Sequence, residues 1–166
     1  MKKIYLGESK VAGRGIFAGE NIKKGKFVVT LRGKVIYKDF RTKSDLRTGK
    51  TWISIGHTIW IEPIFPIKYI NHSCDPNVGM KTARRFYALR NIKKDEELTF
   101  DYSTAEYVDF WKMKCKCGSK KCRKFVGPVQ FLPKKVYESY LPYIPRYFRR
   151  LYLQYQHGRQ SIRHGT

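Results

Sequence analysis

Cys115, Cys117 and Cys122 stand in the spacing C-x-C-x4-C, with Gly118 between them to ease the turn. Three thiolates this close along a chain can wrap one ion, and tetrahedral zinc asks for a fourth ligand. The remaining cysteine is Cys74, inside Asn71-His72-Ser73-Cys74-Asp75-Pro76-Asn77, so an all-thiolate site would use all four cysteines. Two disulfides, or plain buried thiols, are the other readings that the count allows. No apolar signal stretch follows Met1-Lys2-Lys3-Ile4-Tyr5. The expectation is therefore an intracellular, reducing location, in cytoplasm, nucleoid or nucleus, where clustered cysteines mean metal or catalysis. A metal site closed in this way would pin 115–122 onto 71–77, and its binding free energy would become folding free energy.

The elements that must hold these residues are short. Ile4–Leu6, Gly15–Ala18, Phe27–Thr30 and Lys34–Ile36 read as strands. Trp52–Ile55 and Thr58–Ile61 read as a hairpin turning at Gly56-His57, and Asn77–Lys81 with Phe86–Leu89 as a second hairpin. Lys94-Asp95 marks a turn before the strand Glu97–Phe100. Helical pattern begins late. Ser103 or Thr104 is a candidate cap for a helix through Trp111, Pro133 opens a helix at Lys134–Tyr140, and Pro145 opens one through Tyr155. The residues from Gly158 to Thr166 read as frayed. Many short strands and few helices predict a mostly β domain with a helical tail.

The chain of 166 residues carries 35 Lys/Arg against 13 Asp/Glu, a formal charge of +22. Residues 51–111 are the exception, with 7 basic against 8 acidic residues. Asp95, Glu96, Glu97, Asp101, Glu106 and Asp109 follow one another there without a Lys or Arg. The basic remainder would attract polyanions such as nucleic acid, or serve solubility alone. No apolar run reaches a membrane span. In the tail, Tyr137, Tyr140, Leu141, Tyr143, Ile144, Tyr147, Phe148, Leu151, Tyr152 and Tyr155 are too many aromatic and aliphatic side chains to leave bare, so a helix pair packed over the core is expected. Arg146, Arg149 and Arg150 remain available to nucleic acid.

Four motifs in order carry a family likeness. Gly13-Arg14-Gly15-Ile16-Phe17-Ala18, Ile70–Asn77, Glu96–Tyr102 and the cysteine cluster followed by Arg123 together resemble the SET-domain protein-lysine methyltransferases with a post-SET zinc motif. The resemblance covers about residues 3–126. It implies a SET domain at 3–111 built of small curled sheets, in which the 71–77 segment threads past the 100–102 segment as a pseudoknot. A post-SET zinc clip at 112–126 and a basic aromatic helical tail at 127–166 would follow. It further implies methylation of lysine side chains on a basic protein by S-adenosylmethionine, with one zinc held by Cys74, Cys115, Cys117 and Cys122. By the same resemblance Tyr102 is the catalytic tyrosine and also touches the cofactor. Gly13, Arg14, Gly15, Trp52, Asn71, His72 and Lys116 are cofactor contacts, and Leu31 and Phe100 line the substrate channel. On residue type alone, Tyr102 and Trp52 also read as core residues, and Gly13–Gly15 and Asn71-His72 as turns.

The sequence departs from the family pattern at Lys68, where Arg is common, and at Leu31, where relatives often carry Tyr. Arg and Lys are not interchangeable at a bidentate site. Phe100 occupies a position where relatives have Phe or Tyr, and Phe leaves space for a further methyl group, so a di- or trimethyl product is expected. The acid-rich stretch around Tyr102 suggests a negative rim receiving a Lys/Arg-rich segment of a histone-like, nucleoid or ribosomal substrate. The rival class is a non-catalytic, zinc-stapled nucleic-acid or chromatin binder on the same scaffold.

Overall fold

The computed structural model describes residues 1–45 and 51–163, with the side chains of 1–45 and 51–158. Twelve short strands dominate the described residues. β1 (Ile4–Ser9) and β2 (Gly13–Ala18) form an antiparallel hairpin, with Ile4 opposite Ala18 and Ser9 opposite Gly13. β3 (Phe27–Thr30) closes the far edge of the same sheet. β4 (Gly33–Tyr37), β5 (Ile53–Gly56) and β6 (Ile59–Pro63) make a second sheet in the order β4-β6-β5. β7 (Asn71–His72), β8 (Val78–Thr82), β9 (Arg85–Ala88) and β10 (Glu97–Phe100) complete the first sheet. β11 (Met113–Lys114) and β12 (Phe125–Val126) pair by themselves and bracket the cysteine cluster.

β10 is the strand on which the fold turns. Its first half, Glu97 and Leu98, pairs antiparallel with Phe17 and Ile16 of β2. Its second half, Thr99 and Phe100, pairs parallel with Asn71 and His72. A side chain fills the gap between these partners. Asn77 Oδ1 accepts from the Thr99 amide at 2.8 Å, while its Nδ2 donates to the Glu97 carbonyl at 2.7 Å. The amides of Ser73 and Asn77 donate to the carbonyls of Phe100 and Thr99. The 71–77 segment is thus laced to β10 along its length, so buried backbone groups in an irregular stretch find partners. This is the crossing expected of the SET fold.

The core gathers Ile16, Val28, Met80, Phe86, Leu98 and Phe100, and the tail joins that same cluster through Tyr137, Tyr140, Ile144, Phe148 and Tyr152. Each such side chain contributes roughly 1.5–3 kcal/mol on full burial. α1 (Lys134–Ser139) and α2 (Arg146–Arg163) therefore form the packed pair that the aromatic pattern predicts, with the Tyr137 and Tyr152 rings stacked at 3.7 Å.

Three local expectations change. The helix expected from Ser103 or Thr104 to Trp111 is only a 3-10 turn, Tyr102–Ala105, and its cap is Asp101, which accepts from the Ser103 amide. The turn ends because Glu106 is extended and its own carboxylate takes the amides of Tyr107 and Val108. The hairpin turn falls one residue later than expected, at His57-Thr58, where Thr58 has a φ of 56°. The tail helix runs to Arg163 rather than fraying from Gly158, and 164–166 lie outside the described residues.

Candidate active site and metal centre

Tyr102 leaves the end of β10 on the 3-10 turn, which points its ring toward the 70–72 segment. Its hydroxyl donates to the Ile70 carbonyl at 2.7 Å, and its amide donates to His72 Nδ1 at 3.3 Å. Burial, reinforced by the charge of Glu97, pushes the phenol up to about 12. At neutral pH it is a positioned hydroxyl, not a base.

The ring lines a cavity of about 480 Å³. Phe100, Ile70 and Trp52 share its wall, as do Phe40, Trp60 and Trp111. Among the described residues Glu106 is the one acidic member of the lining, which also includes Lys68 and Lys112. Tyr102, Phe100 and Trp52 are therefore brought together. Leu31, expected at the channel, is not on that wall. It is fully buried in the main core, with its amide on the Arg84 carbonyl, because β3 ends there against β9.

Behind Tyr102 lies a second grouping. Asn71 Nδ2 donates to the Arg14 carbonyl at 2.7 Å, to Glu97 Oε1 at 2.7 Å and to Ser9 Oγ at 3.1 Å. Asn71 therefore locks β7 onto the Gly13-Arg14-Gly15 strand. A Cβ on Gly15 would strike the Glu97 carboxylate, which explains that glycine by packing. Gly13 differs. Its φ is +77° and a Cβ there would meet nothing within 4 Å, so a left-handed backbone faces open space where a ligand can approach. Arg14 is exposed, with its guanidinium 5.9 Å from the Tyr69 ring. Lys116 is exposed on the cysteine loop.

The cysteines converge as the spacing predicts, with one addition. Donor atoms of His72, Cys74, Cys115 and Cys117 all lie within 4.8 Å of one another. Cys74 Sγ and Cys115 Sγ are 3.7 Å apart, about the edge of a tetrahedron with ~2.3 Å metal–sulfur bonds. The Arg123 amide points at Cys74 Sγ (3.4 Å) and the Cys74 amide at Cys117 Sγ (3.5 Å), contacts that favour thiolate. Cys122 is not in that group of four, but its thiol contacts those of Cys115 and Cys117 and lies 3.9 Å from the Cys115 carbonyl. His72 is held neutral, since burial lowers it to about 4 despite Asp101 nearby. With Nδ1 accepting from Tyr102, its Nε2 is left facing Cys74 Sγ at 3.4 Å. Five donors thus surround a four-ligand site. A histidine separated from the cysteine cluster by 43 residues carries no local signal of that role.

One network was not visible in the sequence at all. Arg123 grips buried Asp101 through two bonds, 2.6 and 2.8 Å, and reaches Ser103 Oγ at 3.2 Å. Tyr140, at the end of α1, donates its hydroxyl to Asp101 Oδ2 at 3.0 Å. Burial alone would lower the Arg123 guanidinium, but Asp101 outweighs it and holds it above its ordinary value. This one carboxylate joins β10, the cysteine loop and the tail.

The acid-rich stretch does not form an open rim. Asp95 accepts from the Tyr5 hydroxyl, Glu96 pairs with Arg90, and Glu97 holds Asn71. Asp101 is taken by Arg123, Glu106 is buried, and Asp109 accepts from Gln130. Glu96, Glu97, Asp101 and Glu106 are buried or half-buried, and the two exposed carboxylates, Asp95 and Asp109, each hold a bond within the fold.

An aromatic cavity with a tyrosine in its wall, a strand-laced Asn-His segment and a nearby cysteine cluster together define a class. The SET domain family matches residues 13–103, and the chain belongs to that family. Among curated proteins it is 32% identical over 142 residues to a histone-lysine N-methyltransferase, H3 lysine-4 specific, of Schizosaccharomyces pombe, covering 76% of this chain and 15% of that protein. It is 32% identical over 151 residues to histone-lysine N-methyltransferase ASHH3 of Arabidopsis thaliana, covering 81% and 41%. A chain in the structure of a humanized mutant of the Chaetomium thermophilum Polycomb Repressive Complex 2 bound to the inhibitor GSK343 is similar, at TM-score 0.55 and 30% identity, over 64% of this chain and 16% of that one. This chain therefore spans less than half of each of these proteins. No helix among the described residues is long and apolar enough to cross a membrane.

Proposed function

We propose that this chain transfers methyl groups from S-adenosylmethionine to lysine side chains of a basic protein, of the histone-like, nucleoid or ribosomal kind. The observation that carries the reading is the Tyr102 hydroxyl, held on the Ile70 carbonyl at the wall of an aromatic cavity, one residue from the Asn71–Arg14 lock. The open, left-handed backbone at Gly13 fits close approach of a cofactor beside that lock. Arg14, Gly15, His72 and Lys116 complete the proposed cofactor contacts, with Trp52 and Tyr102 on the cavity side. When bound, the cofactor supplies an electrophilic sulfonium methyl group. The chain's task is then positional. Tyr102 spends its proton on Ile70 and presents its oxygen to orient the lysine amine. The apolar wall of Ile70, Phe100 and Trp52 desolvates that amine, which lowers its pKa and favours the neutral, attacking form. No protein base is required for this. Phe100 leaves room for a second or third methyl group. The names of the relatives, each a histone-lysine methyltransferase, support the substrate class.

The 112–126 segment is proposed as a structural zinc clip, with the 127–166 tail as its packed neighbour. Cys74, Cys115 and Cys117 would hold the ion, and Cys122 and His72 compete for the fourth place. The basic surface is proposed to hold the enzyme on nucleic acid near its substrates. The test is mass spectrometry of a lysine-containing basic peptide incubated with S-adenosylmethionine. We expect +28 or +42 Da products (two or three methyl groups) from wild type and a loss of at least 100-fold in Tyr102→Phe. No methylated product, with cofactor binding absent by calorimetry, would favour the non-catalytic binder.

A further inference from the structure

Glu106 is a buried carboxylate whose charge nothing in the described structure balances. It is 7% exposed, and both of its hydrogen bonds, from the amides of Tyr107 and Val108, fall on Oε1 at 2.8 and 2.9 Å. Oε2 accepts none. Burial pushes the acid up to about 7, which is what an unpaired carboxylate in an apolar wall should show. The wall around it is aromatic. Phe40 meets Trp60 edge-on at 4.8 Å and Trp52 at 6.2 Å, and Trp111 stands in the same lining. The two lysines of the cavity do not serve as its counter-ion, since Lys112 sits over the Phe125 ring at 4.3 Å and Lys68 is exposed.

Aromatic faces and one carboxylate, gathered in a concave site, bind cations carried on alkyl stems, through ring quadrupoles and an ion pair that partial desolvation strengthens. At about 480 Å³ the cavity has the size of a ligand site rather than of a slot for one unbranched side chain. Tyr102 and Glu106 share the wall but are held by different partners, the Tyr102 hydroxyl by the Ile70 carbonyl and the Glu106 carboxylate by the Tyr107 and Val108 amides, so the cavity carries a reacting phenol and a separate acid.

Resting on the methyltransferase reading, we propose that the Glu106 end of the cavity is a subsite for a second cationic side chain of the substrate, a Lys or Arg neighbouring the target lysine. Specificity for basic substrates then comes from one buried carboxylate in an aromatic box, not from an exposed acidic rim.

All three tryptophans of the chain, Trp52, Trp60 and Trp111, line this cavity, so intrinsic fluorescence reports on it without any turnover. Titration of wild type with tetramethylammonium chloride, at ionic strength held with potassium chloride, should change that fluorescence saturably. Glu106→Gln keeps an oxygen for the two amides and removes the charge, and its affinity should fall roughly 10-fold. The uncharged counterpart tert-butanol should not saturate the signal. Equal affinity in Glu106→Gln, or equal binding of tert-butanol, would overturn the subsite, provided circular dichroism shows the variant folded. The second arm uses two peptides with one lysine each, only one of which also carries an Arg. The variant should raise KM about 10-fold for the Arg-containing peptide alone, and an equal rise for both would overturn the second-residue assignment. Absence of turnover with every peptide would instead defeat the methyltransferase reading, while the ammonium titration is decided separately.

Discussion

Asp101 and Glu106 sit five residues apart, both buried, and the fold treats them in opposite ways. Asp101 receives two bonds from Arg123, one from the Tyr140 hydroxyl and one from the Ser103 amide. Glu106 receives two backbone amides on one oxygen and, among the described residues, no cation. A buried charge that is fully matched becomes architecture, since its partners come from three segments and hold them in register. A buried charge left unmatched is costly to folding, and that cost is tolerated most readily where a ligand uses the group. The region around Asp101 therefore reads as the joint of the molecule, and the region around Glu106 as part of its working surface.

The sharpest way to break this contrast is at the metal site, which leans on the same joint. Stripping a resident zinc ion with a strong chelator should disorder the 113–126 segment, because structural zinc sites supply about 10 kcal/mol or more of apparent folding free energy in small fingers. Hydrogen exchange should show lost protection there and at 71–74, with β3 and β9 retained. Metal analysis of Cys122→Ser beside His72→Ala would sharpen it, since the variant that loses stoichiometric zinc names the fourth ligand. Next in size is Arg123→Met, which orphans Asp101 and should cost about 3–5 kcal/mol in denaturant unfolding. A loss below 1 kcal/mol would mean that Asp101 is not the joint. The smallest effect belongs to Glu106. Its folded value of about 7 lies above the ordinary carboxylate value near 4.5, so the folded state holds the proton more tightly. Stability from this group is full at low pH and is lost as pH rises through 7, by about 1 kcal/mol between pH 6 and pH 8. Glu106→Gln should remove that slope, with Lys68 and Lys112 the other charged groups on the cavity wall. A variant with an unchanged pH profile between pH 6 and 8 would show Glu106 to be matched after all.

The strands and the cysteine cluster were legible because their signals are local. Short runs of apolar and β-branched residues mark β2, β3 and β6, alternation marks β10, and C-x-C-x4-C marks the cysteine loop, each within one short stretch. The 3-10 turn after Tyr102 was misread as a helix start because Ser103 and Thr104 are good caps by type, whereas the cap in place is Asp101, with Glu106 ending the turn from the other side. Leu31 was assigned to the channel by position in a motif; it is fully buried, as Phe100 is, and is not among the side chains that wall the Tyr102 cavity. The acidic rim failed for a related reason. A run of carboxylates has a visible sign in sequence, but its partners Arg90, Asn71, Arg123 and Gln130 lie up to 26 residues away.

By itself the sequence determined the family, the mostly β architecture, the clustering of cysteines and the identity of the tyrosine that ends β10, because each rests on residue types at short spacing. Only the tertiary structure decided that His72 joins the cysteine group, that Arg123 and Tyr140 meet on Asp101, and that three tryptophans and Phe40 wall a cavity containing Glu106. These outcomes depend on chain crossings at 71–77 and at β10, which bring together residues separated by 20 to 60 positions. Burial then sets their chemistry, since the same carboxylate that water would keep ionised becomes either a joint or a binding group according to what the fold packs against it.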